Sequence, residues 1–495
     1  MLLPAQRLLD ALGPAAASLQ GADATHAEAS QAQAVATALS LLSARERGNT
    51  AAVQAQFREL ASRLERWASL LPQDSPLRRD LEIVRGDAFR ACGEPTLALI
   101  ELDWRALLKR AESIMGRISL DKSLDPAVTR KLVTAIAEWE AGDLAAQLAA
   151  PAAPAVDERI DEQRLGAYLR VRFADPNLTV SAFRALPGGF GKQTYLFSAK
   201  GRELTGDFVI RRDMPSMFPD TDCHRVHREF RLIRSVYSAG FPAPQVLWVD
   251  TRHDLLPGGD FLVMRRAPGI PGGNVFAASG KVPPDLTHTL ATILAKLHEL
   301  PPIDELGDLT DSIQADVWAM PLQKCVRRYL EGWRTQFERE THLPSPSIAA
   351  LFDWLIANIP PTRGQPVLLH GDVGFHNFLF DQGRLTAVLD WEFAHLGDPA
   401  EDLAYARNTL GDALNWKAFL SEYQRAGGVE VDARRIHFFQ VWGHLRNAAA
   451  GNLVTAKFAS GTVPELKMVV LPHLHMPSFL RAAMALIERG PDPEL

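Results

Sequence analysis

Cysteine is scarce in this chain. Three thiols in 495 residues, Cys92, Cys223 and Cys325, stand far apart with no pair at metal-ligand spacing. That excludes a disulfide framework or a cysteine-based zinc site and suits a reducing compartment. An excess of basic charge is also missing: 53 Lys and Arg face 59 Asp and Glu, a net charge of -6. No field is present for gripping nucleic acid or an anionic membrane. No run of about eighteen apolar residues occurs to span a bilayer. Arg7 and Asp10 interrupt the apolar start Met1-Leu-Leu-Pro where a signal-peptide core would lie. The expectation is a soluble, cytoplasmic protein with no nucleic-acid and no membrane partner.

What remains is a globular composition, 47% hydrophobic and 23% charged, long enough for two or three packed cores. Residues 1–150 read as a helical accessory domain. Val53, Phe57, Leu60, Leu64, Trp67 and Leu71 recur at intervals of four and three, which lines one helix face with apolar groups. That stripe reads as core, with oligomerisation or protein docking as the rival role. Ser75-Pro76 and Asp125-Pro126 open further helices as cap and first-turn pairs. An Ala/Pro linker follows at 151–157.

Beyond it the texture changes. A helix over 158–172 precedes five strand-like pieces: Thr179–Phe183, Gln193–Ser198, Asp207–Arg211, Gln245–Val249 and Phe261–Met264, interrupted by a helix over 222–239. Residues 158–265 therefore form a sheet-bearing lobe. Residues 266–495 form a helical lobe broken by one hairpin, Asn377–Phe380 with Leu385–Leu389 around Asp381-Gln-Gly-Arg384. The fold class is α+β, two lobes preceded by an all-α domain.

The chemistry concentrates in His370-Gly-Asp372-Val-Gly-Phe-His-Asn377 and the following Leu389-Asp390-Trp-Glu392. Phosphoryl transfer from a magnesium nucleotide needs an acid beside the acceptor hydroxyl, plus an amide and a second acid on the metal. Asp372 is the candidate general base, and Asn377 and Asp390 are the candidate Mg2+ ligands; two suffice, because magnesium completes its shell with phosphate and water. His370 reads as a brace for loop carbonyls. Asp398-Pro399 reads as the cap and first turn of a helix, with a second role for Asp398 in tying the catalytic loop to it.

Upstream, Pro187-Gly-Gly-Phe-Gly-Lys-Gln-Thr194 lets backbone amides approach phosphates through Gly188, Gly189 and Gly191, with Lys192 alongside. It is not a Walker A loop, since Leu186 replaces its first glycine and Gln193 its Ser/Thr. Arg211 ends a strand where a cation reaches the α/β-phosphates, braced by Glu229 on the next helix. Met264 marks the crossover between lobes where backbone groups meet an adenine edge. Two rivals stand beside a kinase. One is a nucleotide-binding regulatory protein without transfer. The other is a metal-dependent phosphohydrolase using His370, Asp372, His376 and Asp390.

Together these residues resemble the aminoglycoside phosphotransferase family over about residues 160–490, most specifically through His370-Gly-Asp372, Asn377, Asp390-Trp-Glu392 and Leu396-Gly-Asp398-Pro. The wording is similar to the branch found beside or fused to acyl-CoA dehydrogenases. The resemblance implies a protein-kinase-like fold, ATP and Mg2+ as cofactors, and a small hydroxylated substrate, with a hydroxyacyl thioester favoured over an antibiotic. It places Arg211 where many members carry lysine; arginine holds phosphates bidentately. The stretch from Phe438 to His475, with Trp442, Leu445, Leu453 and Phe458 but few acids, weighs against an aminoglycoside's amines.

Overall fold

The computed structural model describes residues 49–73, 75–91, 97–120, 125–143, 160–186, 192–213, 225–252, 256, 258–273, 282–301, 319–341, 344–460 and 475–492. Four helices come first: α1 (Asn49–Ser69), α2 (Pro76–Ala91), α3 (Leu97–Leu120) and α4 (Pro126–Asp143). The sheet region holds α5 (Glu162–Arg172), β1 (Thr179–Leu186), β2 (Lys192–Lys200), β3 (Thr205–Asp213), α6 (Val226–Ser238), β4 (Val246–Asp250) and β5 (Phe261–Arg265). Next are β6 (Ile270–Pro271), α7 (Pro284–His298), α8 (Leu322–Glu340), α9 (Pro346–Ala357), β7 (Val367–Leu369), β8 (Phe378–Asp381) and β9 (Arg384–Val388). The chain continues with β10 (His395–Gly397), α10 (Ala400–Leu410), α11 (Trp416–Arg425), α12 (Ala433–Ser460) and α13 (Met476–Arg489). Among the described residues no helix is long and apolar enough to cross a membrane.

Two compact units emerge, and their borders differ from those expected of the sequence. One unit comprises Met1–Ala155 with Tyr329–Ile359 and His444–Gly490; the other comprises Val156–Arg328, Pro360–Gly443 and Pro491–Leu495. The physical reason lies in α9, which packs against α3 and α4, and in α13, which packs against α4. Ile348, Leu351, Phe352 and Leu355 of α9 are fully buried. The stripe on α1 is core: Leu60, Leu64, Trp67 and Leu71 cluster with Leu81, Ile114 and Leu132. Val53 and Phe57 lie outside the residues whose side chains are described.

The second unit is built on a five-stranded antiparallel sheet in the order β1-β2-β3-β5-β4. Strand alternation sends successive side chains to opposite faces. Phe208, Ile210, Phe261 and Val263 pack with Leu165 and Tyr168 of α5. Leu262, Met264 and Val209 face α6 with Val226 and Phe230. By that alternation Arg211, two residues after Val209, points to the α6 side, where Glu229 stands. On the α5 side, Trp248 Nε1 donates to Tyr168 Oη at 3.0 Å, and Tyr168 Oη donates to Asp250 at 3.0 Å. Burial first, and then the Asp250 charge, push the Tyr168 phenol up to about 12.

Candidate active site

The hairpin β8–β9 carries the site to one end, one residue out of the expected register on each strand. Leu389 N donates to Asn377 O at 2.7 Å, so the residues flanking Asn377 and Asp390 are stitched together. Gln382 and Gly383 supply the two positive-φ positions of the tight turn, at 48° and 75°. Asn377 closes a 3-10 turn, Phe375–Asn377. Asp390 is left-handed at φ 62°, a strained setting for a residue with a Cβ. It caps nothing: its side chain makes no cap hydrogen bond to the short Trp391–Phe393 turn.

Asp390 instead meets Arg211, whose Nη2 donates to Asp390 Oδ1 at 2.7 Å. The same nitrogen stands 3.6 Å from Glu392 Oε2, and Arg211 Nε stands 3.0 Å from Glu229 Oε1, off the hydrogen-bond line. Burial would lower the Arg211 pKa, but the charges of Glu229, Asp390 and Glu392 outweigh it and raise it. Burial raises Glu229 against the pull of Arg211 and Lys192. Glu392 is pushed up as well, by burial and then by the Asp390 charge. Lys192 Nζ pairs with Asp213 Oδ1 at 3.1 Å, both buried. Asp213 in turn accepts from Val226 N at 3.1 Å and so starts α6.

Asp372 is held from two sides. Asn377 Nδ2 donates to Asp372 Oδ2 at 3.0 Å and to Asp372 O at 2.9 Å. His376 Nε2 lies 3.7 Å from the same Oδ2. Burial would lower the His376 pKa, yet the neighbouring Asp372 carboxylate raises it. His370 braces the loop as expected: Nδ1 accepts from Asp372 N at 3.2 Å, which leaves Nε2 to donate to Leu389 O at 2.8 Å. One imidazole thereby links the base to the residue before Asp390. Trp391, buried edge-on against that ring at 5.0 Å, fixes its plane.

The tie from loop to helix is made by Asp402, not by Asp398. Asp402 Oδ1 accepts from Gly371 N at 2.8 Å, and Oδ2 accepts from His370 N at 2.9 Å and meets His298 Nε2 at 3.2 Å. His298 Nδ1 continues to Tyr423 Oη at 2.8 Å. Burial would raise the Asp402 pKa, but the His298 bond and charge and the His370 amide win and lower it. Gly371 is required here: its φ is 77°, and a Cβ would stand 2.3 Å from Phe393 O. Asp398 accepts from Ala400 N at 2.9 Å and pairs with Arg435, so it serves as the cap, one residue ahead of the position expected.

Of the other expected residues, Gly188, Gly189 and Gly191 lie outside the described residues. Met264 sits inside β5, register-paired with Val209 on one side and Val246 on the other, its side chain buried against α6. Its backbone belongs to the sheet, and the crossover proper begins after Arg266, whose N donates to Asp207 O at 3.0 Å. Trp442, Leu445, Leu453 and Phe458 are all buried core, and Trp442 Nε1 donates to Glu401 at 2.9 Å. That stretch therefore does not report on the acceptor. Among the described residues no group of three or more His, Cys, Asp and Glu is arranged to hold a metal. His370 spends both ring nitrogens on the loop backbone, which removes it from the ligand set of the phosphohydrolase alternative.

Sequence reasoning missed Asp402, His298 and Asp213, which act through partners 31 to 104 residues away or across a strand pair. Glu392 was missed as well, although a signal for it existed: an acid two positions after Asp390 on a one-turn segment returns to the same cation.

A five-stranded antiparallel sheet followed by a helical region, with Asp372, Asn377, Asp390 and a braced Arg211 gathered at one hairpin, is the arrangement of a small-molecule phosphotransferase. The chain belongs to the phosphotransferase enzyme family APH, whose family model matches residues 182–439, just over half of the chain. Acyl-CoA dehydrogenase family member 11 of Gallus gallus is 28% identical over 264 residues, covering 48% of this chain and 33% of that protein. The Homo sapiens protein of that name is 28% identical over 265 residues, covering 50% and 31%. The match thus spans about a third of those relatives' length. Among solved structures, macrolide 2'-phosphotransferase from Brachybacterium faecium is 20% identical with a TM-score of 0.41, covering 60% of this chain and 97% of that one.

Proposed function

We propose that the chain moves the γ-phosphoryl group of ATP, with Mg2+, to a hydroxyl of a small metabolite. The observation that carries this reading is the junction of Asp372, Asn377, Asp390 and Arg211 around one stitched hairpin. The residues present fit a divalent cation. The carboxyl groups of Glu229, Asp390, Glu392 and Asp213 crowd Arg211 and Lys192, and burial with that crowding is what raises Glu229 and Glu392, a repulsion that a divalent cation relieves. Asn377 spends its Nδ2 on Asp372, so its Oδ1 is the atom to offer a metal, beside the Asp390 carboxylate. Bound there, Mg2+ would neutralise phosphate charge and polarise the transferred group.

The chain's own groups then have distinct tasks. Asp372 orients the acceptor hydroxyl and takes its proton as that oxygen bonds to phosphorus. Arg211, with Glu229 behind it, holds phosphate oxygens. Gly188, Gly189 and Gly191 cover the phosphates with backbone amides, and the segment after Met264 meets the adenine edge.

For the acceptor, we favour a hydroxyacyl-CoA or a related acid. The relatives named as acyl-CoA dehydrogenases support this. So does the state of Asp398, Glu401 and Asp402, the acids that follow the hairpin: all are buried and committed to Arg435, Trp442, His395 and the loop backbone. They are not available to meet an aminoglycoside's amines. A transfer screen with labelled ATP over hydroxylated acyl-CoAs, sugars and macrolides tests the reading. Labelling of hydroxyacyl-CoAs alone supports it; labelling of sugars or macrolides alone overturns the acceptor assignment. Docking or self-association through the helical region is a separate proposal and rests on faces other than the buried α1 stripe. Sedimentation of the intact chain tests it.

A further inference from the structure

His376 is the one imidazole of the loop 373–377 and has no task in the mechanism above. Its Nε2 lies 3.7 Å from Asp372 Oδ2, the oxygen that also accepts from Asn377 Nδ2 at 3.0 Å. Its Nδ1 is buried with no hydrogen-bond partner among the described residues. A buried ring nitrogen without a protein partner is unfavourable and calls for a reason, which the other edge of the ring offers in its approach to Asp372.

The loop is shaped around this ring. A Cβ at Gly374 would stand 2.5 Å from both Nδ1 and Cε1 of His376, so a side chain there would push the ring from its place. Gly374 has an extended φ of -169°, which any residue adopts, so backbone freedom is not the reason. The other neighbour of a Cβ there is Thr409 Cγ2, at 3.6 Å. The loop wall confines the ring on one side, and its remaining polar edge faces the base.

We propose that His376 is a positioning residue for Asp372: with Asn377 it fixes Oδ2 from two directions, which sets the rotamer that presents the carboxylate to the acceptor. This rests on the phosphotransfer reading for its purpose but not for its geometry. A base loosened by one missing contact stays in place on average but spends less time aligned, and misplacement of about 1 Å costs on the order of 100-fold in rate.

Three variants of the full chain separate this from simple packing. Gln places its amide nitrogen near the position of Nε2, Asn places its own near Nδ1, and Leu keeps bulk without either. Two readouts are taken: turnover of Mg-ATP with the best acceptor of the screen, and hydrogen exchange of the Asn377 carboxamide after selective 15N-asparagine labelling. His376→Leu and His376→Asn should lower kcat about 30- to 100-fold with KM for ATP within about 2-fold, whereas His376→Gln should stay within about 5-fold of wild type. The carboxamide protons should exchange at least about 10-fold faster in the Leu and Asn variants and stay protected in the Gln variant. Equal behaviour of Asn and Gln, or unchanged carboxamide exchange in the Leu variant, overturns the proposal. If the wild type transfers no phosphate at all, phosphotransfer is wrong, while the carboxamide exchange still decides whether His376 holds Asp372.

Discussion

Arg211 Nη2 sits 2.7 Å from Asp390 Oδ1, joining the sheet's β3 to the residue that follows the hairpin, the cation and the acid proposed for phosphate and metal. The same guanidinium reaches Glu229 through Nε at 3.0 Å. A fork with several nitrogens serves both acids at once, whereas an ammonium is a single point charge. Arg211→Lys is expected to weaken Mg-ATP binding by about 10-fold and Arg211→Ala by about 100-fold in calorimetric titration. The Ala variant also strands Glu229 in a buried site, and its unfolding free energy should fall by about 3 kcal/mol.

Asp402 is the buried anchor of the catalytic loop, with two backbone amides and one imidazole on a single carboxylate. Asp402→Ala leaves the amides of His370 and Gly371 without acceptors. Denaturant melts should show a loss of about 3 kcal/mol, and turnover should fall with it because Asp372 is the next residue. Asp398→Asn is the control. It weakens the Arg435 pair but leaves the loop amides bonded, so turnover should stay within about 3-fold. A larger loss in turnover for Asp398→Asn than for Asp402→Ala would contradict this division of labour.

The helical unit should be acid-sensitive through His444. Burial lowers that imidazole from 6.5 to about 4. A group with a depressed folded-state pKa binds its proton more readily when unfolded, so the stability is present above pH 6.5 and is lost as pH falls toward 4. Since His444 is only part-buried, the loss is on the order of 2 kcal/mol rather than the full shift. His444→Phe should flatten this part of the stability profile, read by melts at pH 7 and pH 4.5. An identical pH slope in wild type and variant would rule the group out.

Tyr168 joins α5 to the sheet by accepting from Trp248 and donating to Asp250. Tyr168→Phe takes the hydroxyl from Trp248 Nε1 and from Asp250 Oδ2, while Asp250 Oδ1 keeps the Arg252 amide, and should cost about 2 kcal/mol by thermal or denaturant melts. Mg-ATP affinity should not change, because none of the three touches the Arg211 cluster.

The legible part of this protein is local in sequence. Five strands and the hairpin could be read because alternation and turn residues act over a few positions, and the meeting of Asp372 with Asn377 because they stand five positions apart on one loop. Arg211 with Glu229 was also readable, since a strand end and the first turn of the next helix meet without a long connection. What could not be read depends on distant packing. Nothing in Asp402 says that its carboxylate bonds the His370 and Gly371 amides; an acid in a first helical turn reads as a dipole or cap partner. Likewise α9 and α13 carry the same apolar spacing as any core helix, and only the folded chain shows that they pack against α3 and α4. Met264 was misplaced because a strand's last residues and the crossover after it have the same letters.

The most direct test of Asp372 as the base compares wild type with Asp372→Asn, following γ-phosphoryl transfer to the screened acceptors and Mg-ATP affinity together. The side-chain amide keeps the shape of the carboxylate but takes no proton. Transfer should fall about 1,000-fold while the dissociation constant for Mg-ATP stays within about 3-fold. Transfer retained in the Asn variant, or phosphoester hydrolysis by the wild type without ATP, would contradict phosphoryl transfer through Asp372.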